Sequence, residues 1–137
     1  MIALRLGEIA AAIGLPAPVR NPIIESIVAD SRKVDYGSLF AALPGSQVDG
    51  HDFAAKAVSM GALALLVDRP LELSIPQLVV PDVLVALGQI AALLRQRLNP
   101  RVAGITGSNG KTTVKEMLAG ILRQQGEVLA TQGNYNN

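Results

Sequence analysis

Apolar residues recur along this chain with two different periods. Ile9 and Ile13 lie four apart and predict a short helix over residues 6–13, stopped by Gly14 and Pro16. Residues 23–29 are rich in β-branched side chains and predict a strand. Residues 38–43 form a second apolar run of strand length, closed by Pro44-Gly45. Phe53, Ala57 and Met60 share a face of a predicted helix over 52–60, with Gly61 at its stop. Residues 63–67 and 77–80 read as short buried strands, separated by Pro70 and Pro76. Asp82 is placed to cap a longer helix with the stripe Val83, Leu87, Ile90, Leu94 and Leu98, ended by Asn99-Pro100. Residues 101–106 predict a strand, a glycine loop follows, and residues 113–125 predict an amphipathic helix. Its apolar stripe is Val114, Met117, Leu118, Ile121 and Leu122, of which Met117 and the leucines are expected in a core. Residues 127–131 read as the next strand.

The alternation of strands and helices implies an α/β fold. A boundary is expected near residues 80–82, giving a small α/β unit over 1–81 and a second segment over 82–137. That second segment holds only helix, strand, loop, helix and strand. Two strands and so few helices cannot cover both faces of a parallel sheet. The chain is therefore expected to be the N-terminal piece of a larger protein.

Composition narrows the function classes. Half of the 137 residues are hydrophobic and 17% are charged, so disorder is not expected. The net charge of +1 and the 3% of aromatic residues argue against a nucleic-acid surface. With no cysteine, disulfides, thiolate metal sites and thiol catalysis are excluded, and the single histidine, His51, cannot build a histidine metal cluster. No apolar run is long enough to span a membrane, and no signal peptide opens the chain; a cytoplasmic protein is expected.

The chemistry concentrates in Gly104-Ile105-Thr106-Gly107-Ser108-Asn109-Gly110-Lys111-Thr112-Thr113. The usual phosphate loop is G-x-x-x-x-G-K-[ST], and its first glycine would fall at Ile105. The function needs a flexible backbone, a lysine and a hydroxyl in order, not a glycine at that point. Gly107 and Gly110 allow successive N–H groups to point inward as an anion nest, and the helix start adds its positive end. Lys111 is placed for β- and γ-phosphates and Thr112 for Mg²⁺. The bland alternative is a glycine turn with a surface lysine.

The stretch 104–118 closely resembles the ATP loop of the Mur ligases, whose pattern T-G-[ST]-N-G-K-[ST]-[ST] has no glycine where Ile105 stands. The N-terminal residues agree in register. Asp30-Ser31-Arg32-Lys33-Val34 is similar to the family's D-S-R-x-V, Gly37-Ser38-Leu39-Phe40 to G-x-L-F, Ala42-Leu43-Pro44-Gly45 to A-L-x-G, and Asp49-Gly50-His51-Asp52-Phe53 to D-G-H-x-F. Thr131, Gly133, Asn134, Asn136 and Asn137 fit T-x-G-N-x-N-N, the pattern of one branch.

The resemblance implies a first domain for the uridine diphosphate end of the substrate and the start of a P-loop-type, parallel-sheet ATP-binding domain. ATP and Mg²⁺ are the implied cofactors. UDP-N-acetylmuramoyl-tripeptide and D-alanyl-D-alanine are the implied partners, with no nucleic acid, no membrane and a monomeric full-length protein. ATP would phosphorylate the tripeptide carboxylate, and the amine would attack the acyl phosphate. Gly107, Ser108, Asn109 and Gly110 would present backbone donors, Lys111 would neutralise phosphate charge, Thr112 would hold Mg²⁺, and Thr113 would add a contact. Asn134 and Asn137 would lie beside ATP, although Gly and Asn also make ordinary turns. Ser31 and Arg32 are candidates for the UDP end, against a strand-end turn with a solvated charge. Asp49 and His51 are further candidates, against an Asp cap with a bystander histidine. The family's acidic magnesium ligands and carbamylated lysine are expected beyond Asn137. Two other readings remain: a sibling ligase that adds the third peptide residue, and a free-standing nucleotide-sugar binding module.

Overall fold

A computed structural model describes residues 3–133 and divides the chain into two compact units, with the break between Asn99 and Pro100. The N-terminal unit is built on a four-stranded parallel sheet in the order β3 (Ser26–Val28), β4 (Ser38–Ala41), β5 (Ala64–Val67), β6 (Gln77–Val79). Register runs Ser26 to Ser38, Leu39 to Ala64, and Leu65 to Gln77. Before it, β1 (Leu4–Arg5) pairs antiparallel with β2 (Ile23–Ile24). The predicted strand over 23–29 thus splits at Glu25 between two sheets. Its amide donates to the Gly37 carbonyl at 2.9 Å, which turns the chain from one ladder into the other.

Every residue of β4 and β5 is buried, as parallel strands require when both faces are covered. Alternation then feeds two cores. Leu39, Ala41, Ala64 and Leu66 face α1 (Leu6–Ala12) and α3 (Val83–Leu98), meeting Leu6, Ile9, Val83, Ala86 and Ile90. Phe40, Leu65 and Val67 face α2 (Ala54–Ser59) through Ala54 and Ala57. The buried face of α2 is therefore its alanines, which let the helix lie close to the sheet. Phe53 and Met60, expected on that face, are exposed.

Asp82 caps α3 as expected, accepting from the Val85 amide at 3.0 Å. The helix completes the core of the N-terminal unit, and Arg97 pairs with Glu8 on α1. The expected boundary at residues 80–82 thus falls between a strand and a helix of one unit. The break lies instead at the left-handed Asn99 that ends α3.

In the second unit the glycine loop leads into α4 (Lys111–Leu122). Neither 101–106 nor 127–131 forms a strand, because among the described residues neither has a hydrogen-bonded neighbour to make a ladder. The stripe on α4 is correspondingly uncovered: Met117 and Leu122, expected in a core, are exposed, and so are Val114 and Ile121.

Gly61 and Gly88 should respond oppositely to alanine. Gly61 sits at φ +113° with Tyr36 Cα 2.7 Å from where a Cβ would stand. Gly61→Ala is expected to destabilise the chain by about 2 kcal/mol or more. Gly88 lies within α3 with open space around it, so Gly88→Ala is expected to stabilise by about 0.5–1 kcal/mol. Urea unfolding of both variants checks the pair.

Candidate functional site

Two places carry the predicted site residues. The first is an open cleft of about 470 Å³ at the carboxyl ends of β3 and β4. In open α/β sheets that end of the strands is where ligands bind. Ala29, Asp30, Ser31 and Arg32 follow β3 and form one side. Leu43, Val48, Gly50, Phe53 and Lys56 form the other, with Phe40 at the base. Parallel pairing of β3 with β4 brings these segments together. Nothing in the one-dimensional pattern places residue 31 against residue 56.

Asp30 caps a 3-10 turn over Ser31–Lys33, accepting from the Arg32 amide at 3.0 Å. The Arg32 guanidinium folds back on the same carboxylate, with Nε 2.9 Å and Nη2 2.8 Å from its two oxygens. These hydrogen bonds, side chain first and then backbone, hold the Asp30 carboxyl at about 2 instead of the usual 3.8. Much of the Arg32 charge is therefore already matched inside the protein, although its side chain is 82% exposed.

Asp49 and His51 do not line the cleft; they brace its wall. The His51 ring is only 1% exposed. Its Nε2 lies 3.1 Å from the Asp68 amide nitrogen and 3.0 Å from Asp68 Oδ1, and its Nδ1 lies 2.6 Å from Asp49 Oδ1. Asp49 also accepts from the His51 amide at 3.0 Å, capping the 3-10 turn Gly50–Phe53. Arg69 joins the two carboxylates, 2.5 Å from Asp49 Oδ2 and 2.9 Å from Asp68 Oδ1. The Arg69 hydrogen bond, then those from the His51 amide and ring, push the Asp49 carboxyl well below the usual carboxylate range. The result pins the Gly50–Phe53 turn to the end of β5. Gly50 is pressed against this frame: a Cβ there would stand 2.6 Å from the Leu43 carbonyl oxygen. Asp68 and Arg69 carry no motif and were not legible as partners of this turn. Phe53 and Lys56 were legible only as helix residues.

The second place is the glycine loop. Gly110 adopts φ +77°, a left-handed conformation that admits glycine readily, and its carbonyl accepts the first bond of α4 from the Val114 amide at 3.0 Å. Lys111, Thr112 and Thr113 occupy the first turn, where backbone N–H groups and the helix dipole favour anions. Gly107, Ser108 and Asn109 precede them, solvent-exposed. Lys115, one turn further, donates to the Thr131 carbonyl at 2.6 Å and ties the helix to the following segment. Asn134 and Asn137 lie outside the described residues.

The donor set of this loop fits a polyphosphate: backbone amides, one ammonium and a hydroxyl. It fits magnesium only in the way magnesium is usually held beside nucleotides, through one hydroxyl, water and the phosphates themselves. Among the described residues no group of three or more His, Cys, Asp or Glu is gathered for a metal ion. Likewise, no described helix is long and apolar enough to cross a membrane.

Fold and loop together define an α/β protein with an open cleft at the carboxyl ends of its parallel strands and a glycine-rich loop at a helix start. The chain belongs to the Mur ligase family, whose catalytic-domain model matches residues 23–125. It is 51% identical over 114 residues to UDP-N-acetylmuramoyl-tripeptide–D-alanyl-D-alanine ligase of Escherichia coli (strain K12), covering 83% of this chain and 25% of that protein. Among solved structures it resembles the UDP-N-acetylmuramoylalanyl-D-glutamyl-2,6-diaminopimelate–D-alanyl-D-alanyl ligase of Acinetobacter baumannii, with a TM-score of 0.84 and 37% identity. That match covers 100% of this chain and 32% of the other. It also resembles the MurF ligase of Thermotoga maritima, solved in complex with ADP, at TM-score 0.65 and 36% identity over 81% of this chain and 26% of that one. The chain therefore spans about a quarter to a third of the length of these relatives.

The Asp30–Arg32 contact has a defined pH signature. The folded state favours the ionised carboxyl, so the contact adds stability above the ordinary value of 3.8 and loses it as pH falls toward 2. In an NMR titration, Arg32→Gln is expected to return the Asp30 midpoint upward toward 3.8, the direction in which stability between pH 4 and 2 becomes less dependent on this residue.

Proposed function

We propose that this chain carries the uridine-nucleotide cleft and the ATP loop of a ligase that joins D-alanyl-D-alanine to the terminal carboxylate of UDP-N-acetylmuramoyl-tripeptide. The observation that carries this reading is the loop that opens α4 at Lys111, in a chain 51% identical to the E. coli enzyme of that name. The N-terminal unit would hold the uridine diphosphate end, with Ser31 and Arg32 on the cleft and Asp49 and His51 bracing it.

A free carboxylate is a poor electrophile, so the reading includes its activation as an acyl phosphate, followed by attack of the dipeptide amine and release of phosphate. When bound, ATP supplies the phosphoryl group and Mg²⁺ spreads its charge. This chain's part is electrostatic. Carboxylate and triphosphate repel each other, and Lys111 brings a positive charge to where they meet. The amides of Gly107, Ser108, Asn109 and Gly110 would orient the phosphates, Thr112 would present its hydroxyl to Mg²⁺, and Thr113 would add a phosphate contact. Asn134 and Asn137 are proposed to lie beside the nucleotide.

A chimaera tests the proposal. This chain replaces the matching quarter of the E. coli ligase, and phosphate release is followed with the UDP-linked tripeptide. Release that depends on D-alanyl-D-alanine is expected, together with a fall in kcat of about a hundredfold or more for Lys111→Ala. A folded chimaera that accepts instead the amino acid of the third position would reassign the chain to the sibling ligase. One that binds UDP but never turns over ATP would leave a binding module.

A further inference from the structure

Three charged side chains line the cleft at the ends of β3 and β4: Asp30, Arg32 and Lys56. The first two are matched to each other through two side-chain hydrogen bonds. Lys56 is exposed, and among the described residues its ammonium has no hydrogen-bond or ion-pair partner. The lining's uncompensated charge is therefore that of Lys56. Beside it stands Phe53, 39% exposed, at the entrance to α2. The two are three residues apart, so they project from the same side of the helix start. Phe40, Leu43 and Val48 complete an apolar wall.

An aromatic face with an unmatched ammonium one helical turn away suits a planar heterocycle joined to a phosphoryl group. We infer that Phe53 packs against the base of the nucleotide and Lys56 pairs with its diphosphate. Lys56, and not the Asp30-bound Arg32, then sets the preference of the cleft for nucleotide over nucleoside. The inference rests on the cleft being the uridine-nucleotide site and assigns the residues that discriminate there. Uracil and diphosphate need two different kinds of contact, and the two residues divide them.

The test compares UDP and uridine on the 137-residue chain by NMR titration. Wild type is expected to bind UDP more tightly than uridine, and more weakly as salt screens the ammonium. Lys56→Gln is expected to weaken UDP by about tenfold while leaving uridine unchanged, as loss of one charge-assisted contact requires. Lys56→Arg should restore most of the difference, and Phe53→Ala should weaken both ligands. Equal UDP affinity in wild type and Lys56→Gln would overturn the role of Lys56 while leaving the cleft assignment intact. Parallel weakening of UDP and uridine by Lys56→Gln would also overturn it, since a merely structural side chain would act on both. Absence of UDP binding in the wild type would remove the cleft assignment and this inference with it.

Discussion

A parallel strand buried on both faces is the constraint on which the rest of this chain depends. β4 and β5 have no exposed residue, so each side chain must find cover above or below the sheet. The N-terminal unit meets that demand with α1 and α3 on one face and α2 on the other. The alanines of α2 bring its helix close, and that closeness leaves Phe53 and Lys56 at the rim instead of in the core. The cleft is a by-product of covering the sheet. Its floor is Phe40, a core residue, and its walls are the segments that leave β3 and β4.

The same constraint accounts for the second unit. Its loop and helix start have the local form expected of a phosphate site, since φ at Gly110 and the opening of α4 are set by neighbouring residues. Its strands are not formed, because a ladder needs partners that no described residue supplies. The apolar stripe of α4 consequently faces solvent. Local chemistry can be complete where tertiary packing is not, which separates what the loop is suited to bind from the sheet that would support it.

Much of this was readable from residue patterns. The positions of β4, β5, β6, α1, α3 and α4 follow from apolar spacing and from Gly, Pro and Asp punctuation. The Asp82 cap and the glycine loop were legible because their causes are local. What failed was non-local. The 23–29 strand divides at Glu25 because two different partners compete for its backbone. The helix at 83–98 belongs to the first unit because its stripe matches the face of α1 and the sheet. Burial on α2 and α4 is not legible in the sequence, because a periodic face shows that a helix can be covered, not by what. His51 was legible as a residue of interest, but its ties to Asp68 and Arg69 join positions that only the fold brings together.

The N-terminal unit, covered on both faces of its sheet, is proposed to hold a uridine nucleotide in the cleft at the ends of β3 and β4. The most direct measurement is a map of amide chemical shifts in the ¹⁵N-labelled chain as UDP is added. Saturable changes concentrated in Ala29–Arg32, Leu43 and Gly50–Lys56 are expected, with the amides of α1 and α3 unaffected. Changes confined to the loop before α4, or none at saturating nucleotide, would contradict it.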